Sequence, residues 1–415
     1  MRRRYRSDSR SRRRRRRDER SRSRSRRRRR RRSPTPSESY SESQSSDSGY
    51  DDKEGRIQVR PGDYIGSRDR YKVLGVAGQG TFGTVLNVID TKYNDELAVK
   101  VVRSVKRYLE AALVEEEILR RIKEKDPKKQ SLCVRLKGKF EIYFRGRKHV
   151  CLSFEPLGKS LYEFMKANEY RGFRMRHVKS FGYQLLKAVE FCHSIKLIHT
   201  DLKPENILLE SSEYTHEKRG HSNNYRVPVS ERIRLIDFGG ATFEDDHHSR
   251  VINTRQYRSP EVMLGLGWSY ESDLWSVGCI LAELRTGELL FKTHEDMEHL
   301  ALMEKIVEKK IPRDMCLRAQ KLYASKNHSS SRDTKRKKRH RSSSNPRVDD
   351  WLEDGHIRWP ENASGKTSLS RVKRAQHLSE QFSDEKFKDI LFKLLEHDPK
   401  KRITATQALS HPFFK

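Results

Sequence analysis

The sequence has few cysteines and no long hydrophobic run, and both shortages exclude whole classes of protein. Its five cysteines are widely spaced and never form a C-x-x-C pair, which argues against a disulfide framework and against a zinc site. No apolar run reaches the roughly 18 residues of a membrane span, and the N-terminus lacks the apolar core of a secretory signal. We therefore expect a soluble, non-secreted protein in a reducing compartment, without membrane association.

Hydrophobic residues are scarce as well. Only 33% of the 415 residues are hydrophobic and 36% are charged, and 90 Lys and Arg against 58 Asp and Glu give a net charge of +32. Residues 1–50 hold 21 arginines and 6 acidic residues, so +15 of this charge lies there and +17 in the other 365 residues. The length allows two or three domains, but part of the chain cannot build a core.

Residues 1–60 are predicted to form a disordered, arginine/serine-rich tail, because they offer almost no aliphatic side chain to bury. The tail could be a nuclear-import address, or an interaction segment that contacts RNA phosphates and changes charge when its serines are phosphorylated. Both interpretations place the protein in the nucleus. Polar insertions are predicted at 211–230 and at 325–347, the second with the basic cluster Lys335 to Arg341.

From Tyr71 the sequence changes to short runs rich in Val, Ile and Leu, which predict three consecutive antiparallel strands. A G-x-G-x-x-G-x-V motif over residues 78–85 lies between the first two. Its glycines let backbone N–H groups approach a phosphate chain. A strand rather than a helix follows the glycines, which favours a flap over a nucleotide rather than a dinucleotide-binding turn.

The third of these strands, E-L-A-V-K-V-V, contains A-V-K with Lys100, and the spacing then predicts a helix over Val105–Lys123. A carboxylate on that helix could pair with Lys100 and hold its ammonium against the nucleotide phosphates. We predict that this carboxylate is Glu115, although the adjoining Glu116 and Glu117 stay open.

A polar cluster lies in the middle of the chain. H-T-D-L-K-P-E-N occupies 199–206 and D-F-G occupies 237–239. Phosphoryl transfer needs a carboxylate to orient the attacking hydroxyl, cations on the developing charge and oxygen ligands for Mg²⁺. Both stretches carry these groups in order, so the pattern indicates phosphoryl transfer from ATP with Mg²⁺.

Together these motifs resemble the eukaryotic protein-kinase set over about Tyr71 to Phe414. S-P-E at 259–261 occupies the place of the family's A-P-E motif, and Arg402 resembles the arginine that pairs with the A-P-E glutamate. The segment 273–278 is similar to the start of the buried central helix of the large lobe. The resemblance implies an α+β, bilobal kinase fold, with an antiparallel β-sheet N-lobe over 71–155 and a mainly helical C-lobe over 156–414.

The resemblance also implies a role for each site residue. Asp201, Lys203, Lys100 and Glu115 are expected to be catalytic, and Asn206 and Asp237 to bind the metal. A hinge after the strand-like segment 149–154 is expected to offer main-chain groups to adenine, with Phe154 limiting the depth of the pocket. The residues expected to contact the nucleotide are Ala77, Gly78, Gln79, Gly80, Thr81, Phe82, Gly83, Thr84, Val85, Ala98, Lys100, Phe154, Glu155, Leu157 and Leu208.

Within the kinases the sequence is similar to the LAMMER-type, or Cdc-like, dual-specificity family. The marks are H-T-D-L-K-P-E-N, D-H-H-S at 246–249, G-L-G-W-S at 265–269 and E-H-L-A-L-M-E-K at 298–305. The last differs from E-H-L-A-M-M-E-R only at Leu302 and Lys305. SR-protein kinases also carry Thr in H-T-D, so Thr200 does not separate the two families. The E-H-L-A segment favours the LAMMER-type family. We predict an amphipathic helix there, without a catalytic role.

Thr200 has a physical consequence of its own. Most kinases place an arginine there to bind a phosphate on the activation segment, and a threonine cannot make that charge-assisted pair. We therefore predict an enzyme that is active without phosphorylation of residues 237–261.

The resemblance implies arginine/serine-rich splicing factors as substrates, and residues 7–33 are such a repeat. A basic domain needs local acids to attract them, and the candidates are Glu205, Asp245, Asp246, Glu271 and Glu288. We expect a monomer, with possible RNA contact through the tail and self-modification on tyrosine. Two alternatives stay open: a pseudokinase scaffold with an arginine/serine-rich tail that binds RNA or RNA-protein assemblies, and a proline-directed kinase of a neighbouring family.

Overall fold

The structure, a computed structural model, describes residues 55–219, 222–246, 248–329 and 351–415. Packed structure begins at residue 55, before the predicted tail ends at 60, because Ile57 is buried in the outer core of the small lobe with Ile65 and Val73. The rest of the predicted tail, residues 1–54, lies outside the described residues.

The small lobe is an antiparallel sheet with one helix against it. Its strands run in the order β1-β2-β3-β4-β6-β5. The elements are β1 (Tyr64–Ile65), β2 (Tyr71–Gln79), β3 (Gly83–Asp90), β4 (Asp95–Val102), α1 (Lys106–Lys125), β5 (Leu136–Phe144) and β6 (Arg147–Phe154). The three predicted consecutive strands are β2, β3 and β4, and a strand follows the glycines as expected. Along β4, Val99 and Val101 enter the outer core, so Lys100 lies on the opposite face, towards α1.

The large lobe is mainly helical, as predicted. Its helices are α2 (Leu161–Ala167), α3 (Met175–Ser194), α4 (Pro260–Met263), α5 (Glu271–Thr286), α6 (Asp296–Val307), α7 (Arg313–Ser329), α8 (Lys366–Arg374), α9 (Leu378–Gln381), α10 (Glu385–Leu394) and α11 (Ala405–Leu409). Its short strands pair as β7 (Leu197–Ile198) with β12 (Thr242–Phe243), β8 (Ile207–Leu209) with β11 (Ile233–Leu235), β9 (Tyr214–Arg219) with β10 (Ser222–Pro228), and β13 (Leu352–Glu353) with β14 (His356–Ile357).

Helix α5 is the buried centre of this lobe. Asp273 and Trp275 on it are fully buried, as is most of the helix. The predicted partner of the S-P-E glutamate packs beside it: Arg402 donates Nη1 and Nη2 to Glu261 at 2.7 and 2.9 Å, and Nη1 also bonds the Glu271 carbonyl at 2.8 Å. This buried bidentate pair fixes the end of the activation segment to the start of α5.

The two predicted insertions differ in structure. Residues 211–230 contain the β-hairpin of β9 and β10, which is tied to the large lobe because Asn168 exchanges two 2.8 Å hydrogen bonds with the backbone of Arg226. The second insertion begins inside α7, which continues to Ser329, and its basic cluster lies outside the described residues.

Helix α6 contains the E-H-L-A segment, and more of its residues are buried than the predicted amphipathic pattern requires. Besides the apolar stripe of Met297, Leu300, Met303 and Val307, Glu298 and His299 are fully buried. Glu298 forms an ion pair with Arg371, and burial lowers the pKa of His299 to about 3. The motif is therefore buried on more than one face, in a structural role.

The described part of the chain contains no helix that combines the length and apolar character needed to cross a membrane. All five cysteines are buried free thiols.

Candidate active site

An ion-pair cluster joins the two lobes at the cleft. Lys100 Nζ on β4 lies 2.8 and 2.9 Å from the carboxylate oxygens of Glu115 on α1, and 3.3 Å from Oδ1 of Asp237 in the large lobe. Glu116 instead pairs with Lys139 and Glu117 with Arg120. Among the three open candidates, the structure therefore brings Glu115 to Lys100.

The charges of Lys100 and Asp237 support each other, whereas burial, with a contribution from Asp237, raises the pKa of Glu115. Burial alone would lower the pKa of Lys100, but the carboxylates of Asp237 and Glu115 outweigh it and raise that pKa above its usual value. Burial would likewise raise the pKa of Asp237, yet Lys100 above all keeps it below its usual range. The lysine is thus a cation and Asp237 an anion at any neutral pH.

The glycine-rich turn connects β2 and β3 above this cluster. The β2–β3 ladder runs to Gln79 and Thr84, and the Gly80 amide closes the turn on the Gly83 carbonyl at 3.0 Å. Gly83 is required by packing, because a Cβ there would lie 2.2 Å from the Val101 carbonyl oxygen. Around Gly78 and Gly80 a Cβ would meet nothing within 4 Å, so the backbone of the turn is open to a phosphate chain.

Four of the predicted nucleotide contacts, Val85, Ala98, Lys100 and Phe154, lie on the cleft face of the sheet. Val85 is opposite Lys100, and Ala98 is opposite Phe154, so these side chains line one wall. Leu208 on β8 forms a backbone bridge with Ser160, which follows the hinge. Thr84 differs from the prediction: its neighbour across the ladder is Val101 of the outer core, and its side chain is buried. Since side chains alternate along a strand, Thr84 can reach a phosphate only through its backbone.

The remaining predicted contacts belong to the turn and the hinge. Ala77 and Gln79 lie in β2, and Thr81 and Phe82 lie in the turn, where the carbonyl of each accepts a hydrogen bond from Arg103. Glu155 and Leu157 follow β6 directly.

Asp201 is held by three hydrogen bonds from its own loop and from the activation segment. Lys203 Nζ donates to Oδ2 at 2.8 Å, while the backbone N and Oγ1 of Thr254 donate to Oδ1 at 3.0 and 2.8 Å. Asn206 lies beneath and donates Nδ2 to the Asp201 carbonyl at 2.9 Å. Burial would lower the pKa of Lys203, but Asp201 raises it above its usual value.

The loop that carries Asp201 is anchored from below by α5. The fully buried Asp273 accepts the backbone N–H groups of His199 and Thr200 at 2.9 and 3.0 Å. His199 accepts the Asp201 amide on Nδ1 and contacts the Ile236 carbonyl through Nε2. Thr200 has φ 67°, a strained conformation for a β-branched residue, and these contacts hold it.

Thr200 also supports the predicted independence from activation-segment phosphorylation. Its hydroxyl donates to the Gly240 carbonyl at 2.7 Å, and its own carbonyl accepts the Asn253 amide at 2.9 Å. Gly240 and Asn253 of the activation segment are thus both tied to the catalytic loop by neutral hydrogen bonds. The independence itself stays a prediction.

Sequence reasoning missed several residues that the fold brings to this site. Thr254 contacts both Asp201 and Lys203, Asp273 holds the loop, and Glu283 accepts a hydrogen bond from the Tyr257 hydroxyl at 2.6 Å near Glu205. Their positions depend on how the activation segment folds back over α5, and no local spacing reveals that.

One cleft between the two lobes holds all of these features. They are a lysine paired with a helix glutamate, an open glycine turn, an aspartate in a polar loop, and an asparagine with a second aspartate. This arrangement defines the class of ATP-dependent phosphotransferases.

Comparison with known proteins gives the family. The protein kinase domain model matches residues 71–414. The chain is 41% identical to the serine/threonine-protein kinase AFC3 of Arabidopsis thaliana, with 87% of each chain covered. It is 38% identical to the human dual specificity protein kinase CLK1, with 88% of this chain and 69% of the relative covered. A crystal structure of a kinase domain matches with a TM-score of 0.75 and 38% identity, over 87% of this chain and 99% of the other.

The chain therefore belongs to the protein kinases, and within them to the LAMMER-type, or Cdc-like, dual-specificity family that its motifs resemble. It is an enzyme that transfers a phosphoryl group to protein hydroxyl groups, and kinases of this class use ATP with a divalent metal ion.

Proposed function

We propose that this chain is a nuclear kinase that phosphorylates serine and threonine in arginine/serine-rich splicing factors and modifies itself on tyrosine, with ATP and Mg²⁺. The names of its relatives, serine/threonine-protein kinase and dual specificity protein kinase, support the hydroxyl specificity. The observation that carries the choice of substrate is a pair of carboxylates, Glu205 and Glu283, beside the catalytic loop.

Glu205 lies on the same loop as Asp201 and Lys203. Its Oε2 is buried and accepts no hydrogen bond within the described ranges. Glu283 on α5 is 4% exposed. Burial raises its pKa to about 7, and although the Tyr257 hydroxyl opposes this shift, the charge of Glu205 adds to it. Among the described residues, Lys203 is the one cation whose charge acts on Glu205, and Glu283 has no cation among the groups that shift its pKa. Such a pair of carboxylates favours a guanidinium, whose planar donors match them.

The other predicted acids are placed less favourably. Asp245 and Asp246 are exposed on the activation segment, where Asp245 lies 3.9 Å from Lys196. Glu271 and Glu288 lie at the start of α5 and just beyond its end. Glu205 is therefore the predicted acid that the fold places on the catalytic loop.

The residues of the cleft fit a magnesium nucleotide. Asn206 uses its amide nitrogen on Asp201, which leaves its amide oxygen as a ligand, and Asp237 supplies an ionised carboxylate. Such oxygen ligands suit Mg²⁺, and a bound Mg²⁺ would neutralise charge on the phosphates. Lys100 would contact the α- and β-phosphates, Lys203 would lie against the γ-phosphate, and Asp201 would orient the substrate hydroxyl and accept its proton.

One observation favours the proline-directed alternative as a second specificity. Asn253, with φ 61°, turns its carbonyl towards Arg258, which donates Nη2 to it at 2.9 Å and Nε to the Ile252 carbonyl at 2.9 Å. Two acceptors beside Thr254 are therefore unavailable to a substrate amide. A substrate proline has no backbone N–H group, so it leaves no hydrogen-bond donor unpaired at this position. We infer that serines followed by proline inside arginine-rich segments are good substrates.

A small peptide panel tests the proposed substrate. One serine peptide has flanking arginines, a second replaces them with alanine, and a third adds proline after the serine. The proposal expects the highest kcat/KM for the peptides with arginine and no loss on adding proline. Equal rates with and without arginine would exclude the arginine/serine-rich substrate class.

Glu205→Gln is expected to raise KM for the arginine peptide about tenfold, because charged hydrogen-bonding partners contribute about 1.5–3 kcal/mol. KM for the alanine peptide should stay unchanged. The assay is best run near pH 8, where Glu283 is ionised. Glu288→Gln, which removes the same charge at an exposed position, is the matched control. If both peptides lose affinity equally, Glu205 does not recognise arginine.

The proposed nuclear location rests on the arginine-rich residues 1–50 and on the basic cluster Lys335–Arg341, both outside the described residues. Fractionation of cells that express the chain with and without these stretches tests it. RNA contact through the tail would show as a steep loss of affinity with added salt.

A further inference from the structure

Two sequence motifs that mark the family have no part in the mechanism above. These are D-H-H-S in the activation segment and G-L-G-W-S just before α5. His247 of the first motif lies outside the described residues, but His248 and Ser249 are described, and the structure brings them to the second motif.

The activation segment is tied to the catalytic loop near each end. At the start, β12 pairs with β7 and the Glu244 amide bonds the Lys196 carbonyl at 2.9 Å. At the far end, Asn253 and Thr254 bond Thr200 and Asp201. Between these ties, residues 248–250 lie against the other motif and against α7, away from the loop.

The first contact of this middle part is an aromatic stack with a hydrogen bond. The His248 and Trp268 rings lie parallel, with centroids 4.2 Å apart and an interplanar angle of 8°. Trp268 Nε1 also donates to the Ser249 carbonyl at 2.8 Å. One side chain of G-L-G-W-S thus binds both a ring and the backbone of D-H-H-S.

The second contact joins Arg250 to α7. Its guanidinium donates to the Tyr323 hydroxyl and lies 5.1 Å from the centre of the Tyr323 ring. Gly265 makes room for this contact: it has φ 65°, and a Cβ there would lie 2.6 Å from the same hydroxyl. The first glycine of G-L-G-W-S is therefore needed for the tyrosine to reach the segment.

We propose that His248, Ser249, Arg250, Trp268 and Tyr323 form a clamp that positions the activation segment for peptide phosphorylation, in place of a bound phosphate. The clamp acts through Thr254, which follows it and donates two hydrogen bonds to Asp201. Its residues are positioning residues and touch neither the nucleotide nor the reacting atoms. Without the clamp, the middle of the segment would regain conformational freedom that each peptide would have to remove on binding.

Kinetics of Trp268→Ala test the clamp. Loss of the stack and of the hydrogen bond should lower kcat/KM for an arginine/serine peptide about tenfold, mainly through KM for the peptide. KM for ATP should stay unchanged, because the Lys100 cluster does not contact the clamp residues. Trp268→Phe keeps a ring for His248 and should restore part of the loss.

A double-mutant cycle distinguishes a clamp from two separate contributions. If His248 and Trp268 act as one unit, His248→Ala with Trp268→Ala should be no slower than Trp268→Ala alone. The matched control is Tyr143→Ala, which removes an aromatic ring that is 75% exposed on β5, and it should keep full activity.

Three outcomes would overturn the clamp: full activity of Trp268→Ala, additive losses in the cycle, or a parallel rise in KM for ATP. If Trp268→Ala does not fold, the peptide kinetics of Trp268→Phe and Tyr323→Phe test the clamp instead. Each removes one hydrogen-bonding group with the ring retained, and each should raise KM for the peptide a few-fold. Unchanged kinetics in both variants would also overturn the proposal.

Discussion

Asp201→Asn is expected to lower the rate of peptide phosphorylation about 10²–10⁴-fold, the range for removing a positioned general base. Asparagine has nearly the shape of aspartate but cannot accept the proton of the attacking hydroxyl. Lys203 and Thr254 both donate hydrogen bonds to the Asp201 carboxylate. The amide NH₂ group of asparagine is itself a donor and cannot accept such bonds. The nucleotide should bind as before, because Lys100, Glu115 and Asp237 remain paired.

Initial rates with an arginine/serine peptide, together with nucleotide affinity by calorimetry, check this result. Asp245→Asn makes the same substitution at an aspartate whose side chain is 82% exposed, and it should keep the wild-type rate with a peptide that lacks arginine. A variant at Asp201 that binds nucleotide and turns over normally would show that another group activates the hydroxyl.

The second large effect is expected for Lys100→Met, which keeps a stem of similar length and removes the charge. The rate should fall about 10²–10³-fold, the usual loss when a preorganised donor to the reacting group is removed. Stability should fall as well. Without Lys100, the buried Glu115 and the partly buried Asp237 face each other without a cation, and breaking a buried ion pair costs about 3–5 kcal/mol.

The pH dependence identifies this cause. In the variant the two carboxylates repel each other, so their pKa values rise above those of the unfolded chain. The added instability is then present near pH 8 and shrinks as the pH falls through their raised pKa values towards about 4. Urea unfolding of the nucleotide-free protein at several pH values measures it. Lys139→Met removes an exposed lysine that pairs with Glu116 and serves as the control. An equal loss in both variants, or a loss independent of pH, would contradict this account.

Much of the fold could be predicted because local patterns and tertiary structure agree. The strands β2 to β4 alternate around Gly-rich and polar turns, and the helix predicted over Val105–Lys123 is observed as Lys106–Lys125. The resemblance of the motifs to those of protein kinases predicted that Lys100, Asp201, Asn206 and Asp237 share one cleft.

Other features needed the tertiary structure. Burial at Ile57 depends on an outer core formed by strands that come later in the chain. Thr84 is adjacent in sequence to the phosphate turn but belongs to the opposite face of the sheet. Glu283 lies in the last turn of α5 among buried apolar residues, where the pattern predicts only core, and its role depends on the packing of Tyr257 and Glu205 around it. Such contacts join residues far apart in sequence, and no spacing rule covers them.

We expect the chain's own contacts to assemble the active cleft, so that no phosphate on the activation segment is needed. Rapid-quench measurement of phosphopeptide formation by the phosphatase-treated chain tests this most directly, with labelled ATP and Mg²⁺ added at time zero. Product should form at the full rate from the first turnover, with the activation segment still unphosphorylated by mass spectrometry. A lag that disappears only after preincubation with ATP, in step with phosphorylation between Asp237 and Glu261, would contradict it.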